Sequence, residues 1–376
     1  MPRMLMLARG HGFGHAARDL RVIEAIRAER PDVDIEVLAS GSAARYLEMY
    51  GEPFTDLGIG DHEDMSPAAG KRIWEVMGRL DPPDLVVADE VVWALPFCVR
   101  EWRRRAILMT DWFFSEFGQP RSDAFLDYAG EILLLDFSVA HPGPFGTSTP
   151  IRRFGQVVAD FDTDRGASRT SLGLDPDTPA AVLTVGGLGN RLDNQLISDA
   201  VLTTWLEHAP PGHRLYVLGE PFREVPDDRA DDVVWAGFTP APERYYTAAD
   251  LVIANAYGTV TCDLVWNGVP VLGMTSPEVE FAASFTTRVE AMADAGLIAH
   301  ARPSASSEEL WELMRAGIER GRNPEVRGVR GGGDDAAMAA FEWTTGARVA
   351  EHLLRRLDHM AAKSAPTPAR KSQARP

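Results

Sequence analysis

The sequence predicts an α/β protein that is built from two Rossmann-like domains. Short apolar runs alternate with segments whose apolar residues recur at helical spacing, which is the pattern of βαβ units with a parallel sheet. The pattern starts twice, at residues 4–8 and again at 180–185, and a connection rich in Gly, Pro, Ser, Thr and Asp lies between, at 143–173. The chain length of 376 residues also fits two domains better than one.

The first series begins with the strand candidate 4–8, a glycine-rich loop, and a helix with apolar residues at Leu20, Ile23 and Ile26. The strand candidates that follow are 35–39, 85–88, 106–109 and 132–135. Ligands of parallel α/β sheets bind at the carboxyl ends of the strands. The loops that follow these strands are therefore the places to search for functional residues.

The second series continues in the same manner after residue 185. Its strand candidates are 215–218, 233–236, 251–254 and 269–272, and its helical segments include 194–208 and 281–295. Good helix formers at 334–360 predict a long helix, whereas the tail is rich in proline and basic residues. We therefore assign a first domain to 1–155, a second to 156–335, a C-terminal helix that crosses back to the first domain to 336–360, and a disordered tail to 361–376.

Composition narrows the class of partner. The net charge of −17 would repel nucleic acid and anionic membrane surfaces, and it favours a neutral, cationic or small acceptor. No apolar stretch is long enough to span a membrane, and the N-terminus has the pattern of a first strand rather than a signal peptide, so we expect a cytoplasmic protein. Cys98 and Cys262 lie in apolar runs, which predicts reduced core thiols, and no Cys or His pairs have the spacing of a zinc site.

The first glycine-rich loop, residues 9–18, carries two histidines. Its glycines allow the backbone to approach a ligand closely. Because an unperturbed imidazole titrates near neutrality, His15 is our candidate general base, with His11 beside it. The alternative is that both histidines only brace the turn. The loop differs from a dehydrogenase fingerprint, since residues 39–41 include no acid that could bind a ribose.

Two loops of the second half could hold a nucleotide. The loop 186–191 follows the strongest strand, so its backbone N–H groups and Arg191 could bind a diphosphate. The loop 254–263 opens a helix with small and hydroxyl residues that suit a phosphate, and its acid, Asp263, suits ribose hydroxyls. The alternatives are a tight turn for 186–191 and an ordinary helix cap for 254–263.

Acids at two further strand ends are weaker candidates. Asp89 and Glu90 end one strand of the first domain, and Asp111 with Trp112 ends the next. They could face the ligand site, or they could be surface acids. The acidic string 160–164 fails as a calcium loop, because Arg165 and Ser171 stand where the loop needs Gly and Glu.

These motifs resemble those of the GT-B glycosyltransferases of the family twenty-eight type, whose best-known member transfers GlcNAc onto the peptidoglycan lipid precursor. The similar features are a Gly/His loop at 10–15, a Gly-rich loop at 186–190, and a motif of the form Gly-x-x-Thr-x-x-Glu at 257–263, followed by Gly-x-Pro at 268–270. The resemblance spans roughly residues 4–300. The first loop is also similar to that of sugar-binding GT-B relatives, including the N-terminal part of some sugar kinases.

The resemblance implies two domains that face each other across a cleft and an inverting transfer from a nucleotide-sugar, with a UDP-sugar favoured and no metal or other cofactor. His15 matches the histidine near the acceptor, and Asp263 matches the ribose-binding acid, although Asp replaces Glu. The loop 237–240 matches the base-binding loop, and 276–280 matches the region that binds donor-sugar hydroxyls, although the usual Gln is absent.

The predicted site therefore has three parts. The catalytic residues are His15 and Asp89. The donor-binding residues are Gly14, Gly187, Gly189, Asn190, Arg191, Phe238, Thr239, Tyr257, Gly258, Thr259, Thr261, Asp263, Glu278 and Glu280. The acceptor-binding residues are His11, Phe13, Asp111 and Trp112.

Two other functions remain open at this point. A nucleotide-sugar epimerase has the same architecture but usually needs more acids in its cleft. A sugar- or nucleotide-binding module that has lost catalysis would keep the same loops. Neither the acceptor nor the oligomeric state can be read from the sequence, and a homodimer is left open.

Overall fold

The computed structural model describes residues 1–364 except 62, 114–115, 117–119, 144, 162–163, 187–190, 220, 230, 277 and 280–281, and it gives no side-chain environment for 120–123 and 361–364. Four predicted donor residues, Gly187, Gly189, Asn190 and Glu280, lie outside the described residues, as does most of the predicted tail.

The first domain is a seven-stranded parallel sheet with the strand order β3-β2-β1-β4-β5-β6-β7. Its strands are β1 (Arg3–Ala8), β2 (Asp34–Ala39), β3 (Thr55–Asp56), β4 (Leu85–Asp89), β5 (Ile107–Thr110), β6 (Glu131–Leu134) and β7 (Ile151–Arg153). The α-helices are α1 (Phe13–Glu29), α2 (Gly41–Met49), α3 (Pro67–Met77) and α4 (Ala94–Arg100). Strand β1 is central, and its alternate residues face two separate cores: Met4 and Met6 pack with α1, and Leu5 and Leu7 pack with α3 and α4.

The second domain contains a six-stranded parallel sheet with the order β11-β10-β9-β12-β13-β14. Strand β8 (Gln156–Val158) comes before this sheet in the chain and is not part of it. The strands of the sheet are β9 (Ala180–Thr184), β10 (Arg214–Leu218), β11 (Val233–Trp235), β12 (Leu251–Asn255), β13 (Val271–Met274) and β14 (Ala299–Ala301). The helices are α5 (Arg165–Ser171), α6 (Leu192–His208), α7 (Pro242–Ala248), α8 (Val260–Trp266), α9 (Ala283–Asp294) and α10 (Ser307–Arg322). The two parallel sheets confirm the predicted α/β class with two Rossmann-like domains.

The C-terminal region differs from the single helix that the pattern at 334–360 predicts. It forms α11 (Asp335–Ala339), β15 (Trp343–Thr345) and α12 (Gly346–Ser364). An aromatic and two β-branched residues favour a strand at 343–345, and this strand pairs in parallel with β8. The connection predicted at 143–173 is likewise structured, because β7, β8 and α5 lie within it.

Helix α12 lies on the first domain. Its buried residues Val349, Leu353 and Leu357 join the core that α1 and β1 form, and they recur with helical spacing. Gly346 allows the close approach, because a Cβ at this position would lie 2.6 Å from the backbone oxygen of Arg21 in α1. The chain therefore returns to its first domain after completing the second.

Both cysteines, Cys98 and Cys262, are buried free thiols, as the sequence predicts. No helix among the described residues combines the length and the apolarity that a bilayer crossing requires.

The packing of α12 can be tested by truncation of one core side chain. Leu353 is fully buried between α12 and the first domain. The change Leu353→Ala should lower the free energy of unfolding by about 2–5 kcal/mol, because it leaves a cavity. Arg355→Ala on the same helix removes only an exposed ion pair with Glu351 and should change stability by less than about 0.5 kcal/mol. Urea unfolding measures both variants, and equal losses would contradict this packing.

Candidate active site

A cavity of about 1060 Å³ lies between the two domains, at the carboxyl ends of both sheets. Clefts at this position are the usual ligand sites of open α/β sheets. Loops of both domains line it, and the rings of Phe13 and Phe238 meet across it with their centroids 5.6 Å apart. The cavity is therefore the candidate active site.

The loop after β1 brings His15 into this cavity on the first turn of α1. Gly10 allows the loop to pass β2, since a Cβ there would lie 2.3 Å from the backbone oxygen of Ser40. Gly12 has a φ of 79°, a conformation that glycine adopts without strain, and helix α1 begins at the next residue. Gly14 lies against Thr259 at the start of α8. The loop thus places the start of α1 beside the second domain.

His15 forms a pair with Asp89, which ends β4. Nδ1 of His15 lies 3.1 Å from Oδ1 of Asp89, and the Asp89 side chain is fully buried. Arg18 donates to both oxygens of Asp89 and also lies 2.9 Å from Nδ1 of His15. Burial opposes ionisation of Asp89, but Arg18 and His15 outweigh it and hold the pKa of Asp89 below its ordinary value. When Nδ1–H donates to Asp89, Nε2 of His15 is left able to accept a proton.

Glu90, which the sequence offered only as a weaker candidate beside Asp89, lies in the same buried cluster. It is a non-glycine residue with a φ of 55°, a strained conformation that costs about 1–3 kcal/mol. Its carboxylate accepts from Nη1 of Arg9 at 2.6 Å, Nε1 of Trp112 at 2.6 Å and the hydroxyl of Thr110 at 3.0 Å. Burial opposes its ionisation, yet the neighbouring side chains of His15, Arg9 and Arg18 hold the pKa of Glu90 well below its ordinary value.

The spacing of His15 and Arg18 is the sequence signal that could have identified Arg18. Residues three apart on a helix share a face, so both side chains reach the end of β4. Arg18 is buried, and besides Asp89 it lies within 3.3 Å of Asp111 and 3.7 Å of Glu90. One guanidinium is therefore shared by three neighbouring carboxyl groups.

Of the three carboxyl groups beside Arg18, that of Asp111 has the fewest hydrogen-bond partners. Asp111 follows β5, lines the cavity, is 6% exposed, and its Oδ1 has no hydrogen-bond partner among the described residues. Burial, followed by the charge of Glu90, raises the pKa of Asp111 to about 7. Asp111 can therefore exchange a proton or bind a polar acceptor group near neutral pH.

The other predicted acceptor residues also line the cavity. Nδ1 of His11 lies 3.2 Å from the backbone oxygen of Asp61, and burial together with the charge of Arg9 lowers the pKa of His11 to about 4. Phe13 and Trp112 add aromatic surface, and Arg9 lies over the Trp112 ring at 5.5 Å. His11 is therefore neutral at physiological pH.

Most of the described donor residues also line the cavity. They are Gly14, Arg191, Phe238, Thr239, Tyr257, Gly258, Thr259 and Asp263. Thr261 does not line it, because its buried hydroxyl contacts the backbone oxygen of Asn255. Glu278 does not line it either, and it accepts a hydrogen bond from Ser276 instead. Asn255 donates to Asp193 and Asn194 at 2.7 Å each, which joins β12 to the start of α6.

Asp263 joins the two domains in this structure. Its oxygens accept from Nη1 and Nη2 of Arg21 in α1 at 3.0 and 2.7 Å, and from the backbone N–H of Ala159 at 3.0 Å. Burial outweighs these contacts and raises the pKa of Asp263. A ribose that binds Asp263 must therefore compete with Arg21.

A second buried ion pair also crosses the cleft. Nη1 of Arg288 in α9 lies 3.0 Å from Asp136, which follows β6, and Nη2 of Arg288 donates to the backbone oxygen of Tyr257. His141 lies between Asp136 and Glu116. Burial disfavours the protonated imidazole, but these two acids outweigh burial and raise the pKa of His141 to about 9. The first domain thus holds the loop that carries Tyr257.

One group of three metal-ligand side chains occurs among the described residues, formed by His15, Asp89 and Glu90. Its carboxylates already accept from Arg18 and Arg9. A divalent cation there would lie beside two guanidinium charges and would have to displace their hydrogen bonds. These residues therefore fit a metal ion poorly.

Comparisons with known proteins identify the fold. No protein-family model and no curated protein matches the chain. Among solved structures, MurG from Acinetobacter baumannii is similar at 16% identity and a TM-score of 0.58, over 94% of this chain and 99% of that chain. The spinosyn forosaminyltransferase SpnP is similar at 14% identity and a TM-score of 0.64, over 95% and 99%.

A third similar structure is UGT89C1 from Arabidopsis thaliana, solved with UDP. It shows 12% identity and a TM-score of 0.59, over 96% of this chain and 99% of that chain. The chain therefore has the GT-B fold, with two Rossmann-like domains facing across a cleft. This finding confirms the resemblance to GT-B glycosyltransferases at the level of the fold.

The raised pKa of Asp111 makes a prediction about stability. The folded protein holds this proton up to about pH 7, whereas an unfolded aspartate loses it near pH ~3.9. The proton therefore stabilises the folded state at low pH, and this stabilisation is lost as the pH rises between these values. The melting temperature of the wild type minus that of Asp111→Asn should accordingly fall from pH 4.5 to 7.5. Asp294→Asn, at an exposed residue ending α9, serves as the charge control. A difference for Asp111→Asn that stays constant with pH would contradict this assignment.

Proposed function

We propose that this protein is a glycosyltransferase that moves a sugar from a nucleotide-sugar to a small-molecule acceptor, with His15 as the general base. The observation that carries the proposal is the His15–Asp89 pair, which opens into the cavity opposite the predicted donor loops of the second domain. A histidine held by a buried carboxylate is a common arrangement for proton removal.

In the proposed reaction, Nε2 of His15 removes a proton from the acceptor nucleophile as that atom attacks the anomeric carbon. The bond from this carbon to the diphosphate breaks on the opposite face, so the anomeric configuration inverts. Asp89 acts as a positioning residue, because it fixes the ring and stabilises the imidazolium that forms. Arg18 keeps Asp89 ionised, so the proton stays on His15 and does not pass to Asp89.

The leaving diphosphate would lie on the second domain. Helix α6 begins at the cavity and follows the predicted diphosphate loop, and its N-terminus favours an anion. Arg191 stands at this start, 3.0 Å from Asp193. Such preorganised donors stabilise the developing charge and take the place that a metal has in other transferases.

The nucleotide would lie between α7 and the loop after β11. Phe238 offers the face of its ring to the base, and Thr239 offers backbone groups to the edge of the base. Both residues line the cavity. UDP is the favoured nucleotide, since UGT89C1, a structure with the same fold, was solved with UDP. The acceptor would lie against His11, Phe13, Asp111 and Trp112, which combine aromatic surface with an acid and suit a neutral or cationic molecule.

Replacement of His15 tests the general base. His15→Ala should reduce kcat by about 10²–10⁴-fold, while the Kd for UDP changes little because the donor lies mainly on the other domain. His208→Ala is the matched control, since His208 contacts Ser307 and does not line the cavity. UDP release from UDP-sugars, UDP affinity and melting temperature are measured on each variant. A near-normal kcat with a lowered melting temperature would make His15 a structural residue only.

Chelation tests the metal-independent mechanism. Turnover should persist in EDTA, because Arg9 and Arg18 already occupy the carboxylates that could bind a cation. UDP release is followed in EDTA and then with added Mg²⁺ or Mn²⁺. Activity that disappears with the chelator and returns with either ion would overturn the mechanism.

A further inference from the structure

A second cavity, of about 250 Å³, lies in the second domain beside the cleft. Arg165 in α5, Arg322 at the end of α10 and Arg327 line it together with Thr247 and Asn267. Its wall toward the cleft includes Phe161, which lines both cavities and whose ring lies 5.9 Å from that of Tyr246 in the cleft. The two cavities are neighbours, separated by these aromatic rings.

The charge around this cavity is unbalanced in a protein whose net charge is −17. Arg165 pairs with Asp250, a fully buried carboxylate that also accepts from the backbone N–H of Ala180. Arg327 pairs with no carboxylate of the described residues, and its Nη2 donates instead to the backbone oxygens of Tyr246 and Thr247 at 2.7 and 2.8 Å. Arg322 likewise donates to a backbone oxygen, that of Asp177.

Two N–H groups of the cluster have no acceptor. Nε of Arg165 and Nη1 of Arg327 are buried and lack a hydrogen-bond partner among the described residues. Burial, with the charges of Arg165 and Arg169 added to it, lowers the pKa of Arg327 to about 9. Guanidinium groups that repel one another and keep an N–H position without an acceptor are stabilised by an anion that offers several oxygens.

We propose that this cavity, which we call the arginine pocket, binds a small phosphate-like oxyanion. The three arginines line it from α5, from the end of α10 and from the segment that follows α10, so three positive charges surround one small cavity. This arrangement favours a compact dianion over a single carboxylate, because each guanidinium can take a different oxygen. The pocket is separate from the diphosphate position proposed for the cleft.

Calorimetric titration with inorganic phosphate tests the pocket. The full chain is first saturated with UDP to occupy the cleft, and the ionic strength is kept constant with chloride. Wild type should bind one phosphate per chain. Arg322→Gln and Arg327→Gln should each weaken this binding at least tenfold. Arg315→Gln is the matched control, because Arg315 lies on the same helix, is exposed and pairs with Glu312 and Glu319 outside the pocket.

If Arg327→Gln fails to fold, Arg322→Gln still tests the proposal, because Arg322 is exposed and its loss leaves the interior intact. The comparison of Arg322→Gln with Arg315→Gln does not depend on UDP binding, so a failure of the proposed function would not obscure it. Absence of saturable phosphate binding in the wild type would overturn the proposal. Equal phosphate affinity in Arg322→Gln and Arg315→Gln would overturn it as well.

Discussion

The guanidinium of Arg18 is the contact on which the first-domain side of the cleft depends. It lies among the buried carboxyl groups of Asp89, Glu90 and Asp111, which come from the ends of two adjacent strands. Three acids at this depth would repel one another and take up protons without a positive charge between them. Arg18 keeps Asp89 ionised, and Asp89 in turn orients His15. The position of the candidate base is therefore a consequence of a buried ion cluster rather than of the glycine loop alone.

Buried charges also hold the two domains in their relative position. Arg21 and Asp263 pair on one side of the cleft, and Arg288 and Asp136 pair on another. In each pair the two partners belong to different domains, so the pairs join domains that otherwise meet around a large cavity. Truncation of one partner of a fully buried pair, such as Arg288–Asp136, typically costs about 3–5 kcal/mol, so this contact in particular stabilises the relative position of the domains. The crossing helix α12 adds an apolar contact to the same assembly.

The sequence predicted the features that depend on local pattern. Strand β1, the histidine loop and the restart at β9 were readable because apolar period and glycine position are local properties. Glu90 and Arg18 were not placed in the predicted site, because the contact between them joins residues 72 positions apart. The helical spacing of His15 and Arg18 shows that they share a face, but it does not show that this face meets the end of β4. The single helix predicted at 334–360 failed for a related reason. The strand Trp343–Thr345 forms because β8 is available to pair with it.

The Arg21–Asp263 pair bears directly on how a donor would enter. Asp263 lies on the first turns of α8 and lines the cavity, as expected for an acid that binds ribose hydroxyls. Its oxygens are nevertheless occupied by a residue of the other domain, and aspartate is one methylene shorter than the glutamate of the related motif. A ribose can reach this carboxylate only if it replaces a charge-assisted bidentate contact, which is among the stronger hydrogen-bonded arrangements in proteins. Donor binding at Asp263 would consequently weaken the Arg21–Asp263 ion pair, which joins the two domains. The proposed donor site is thereby coupled to the relative position of the domains.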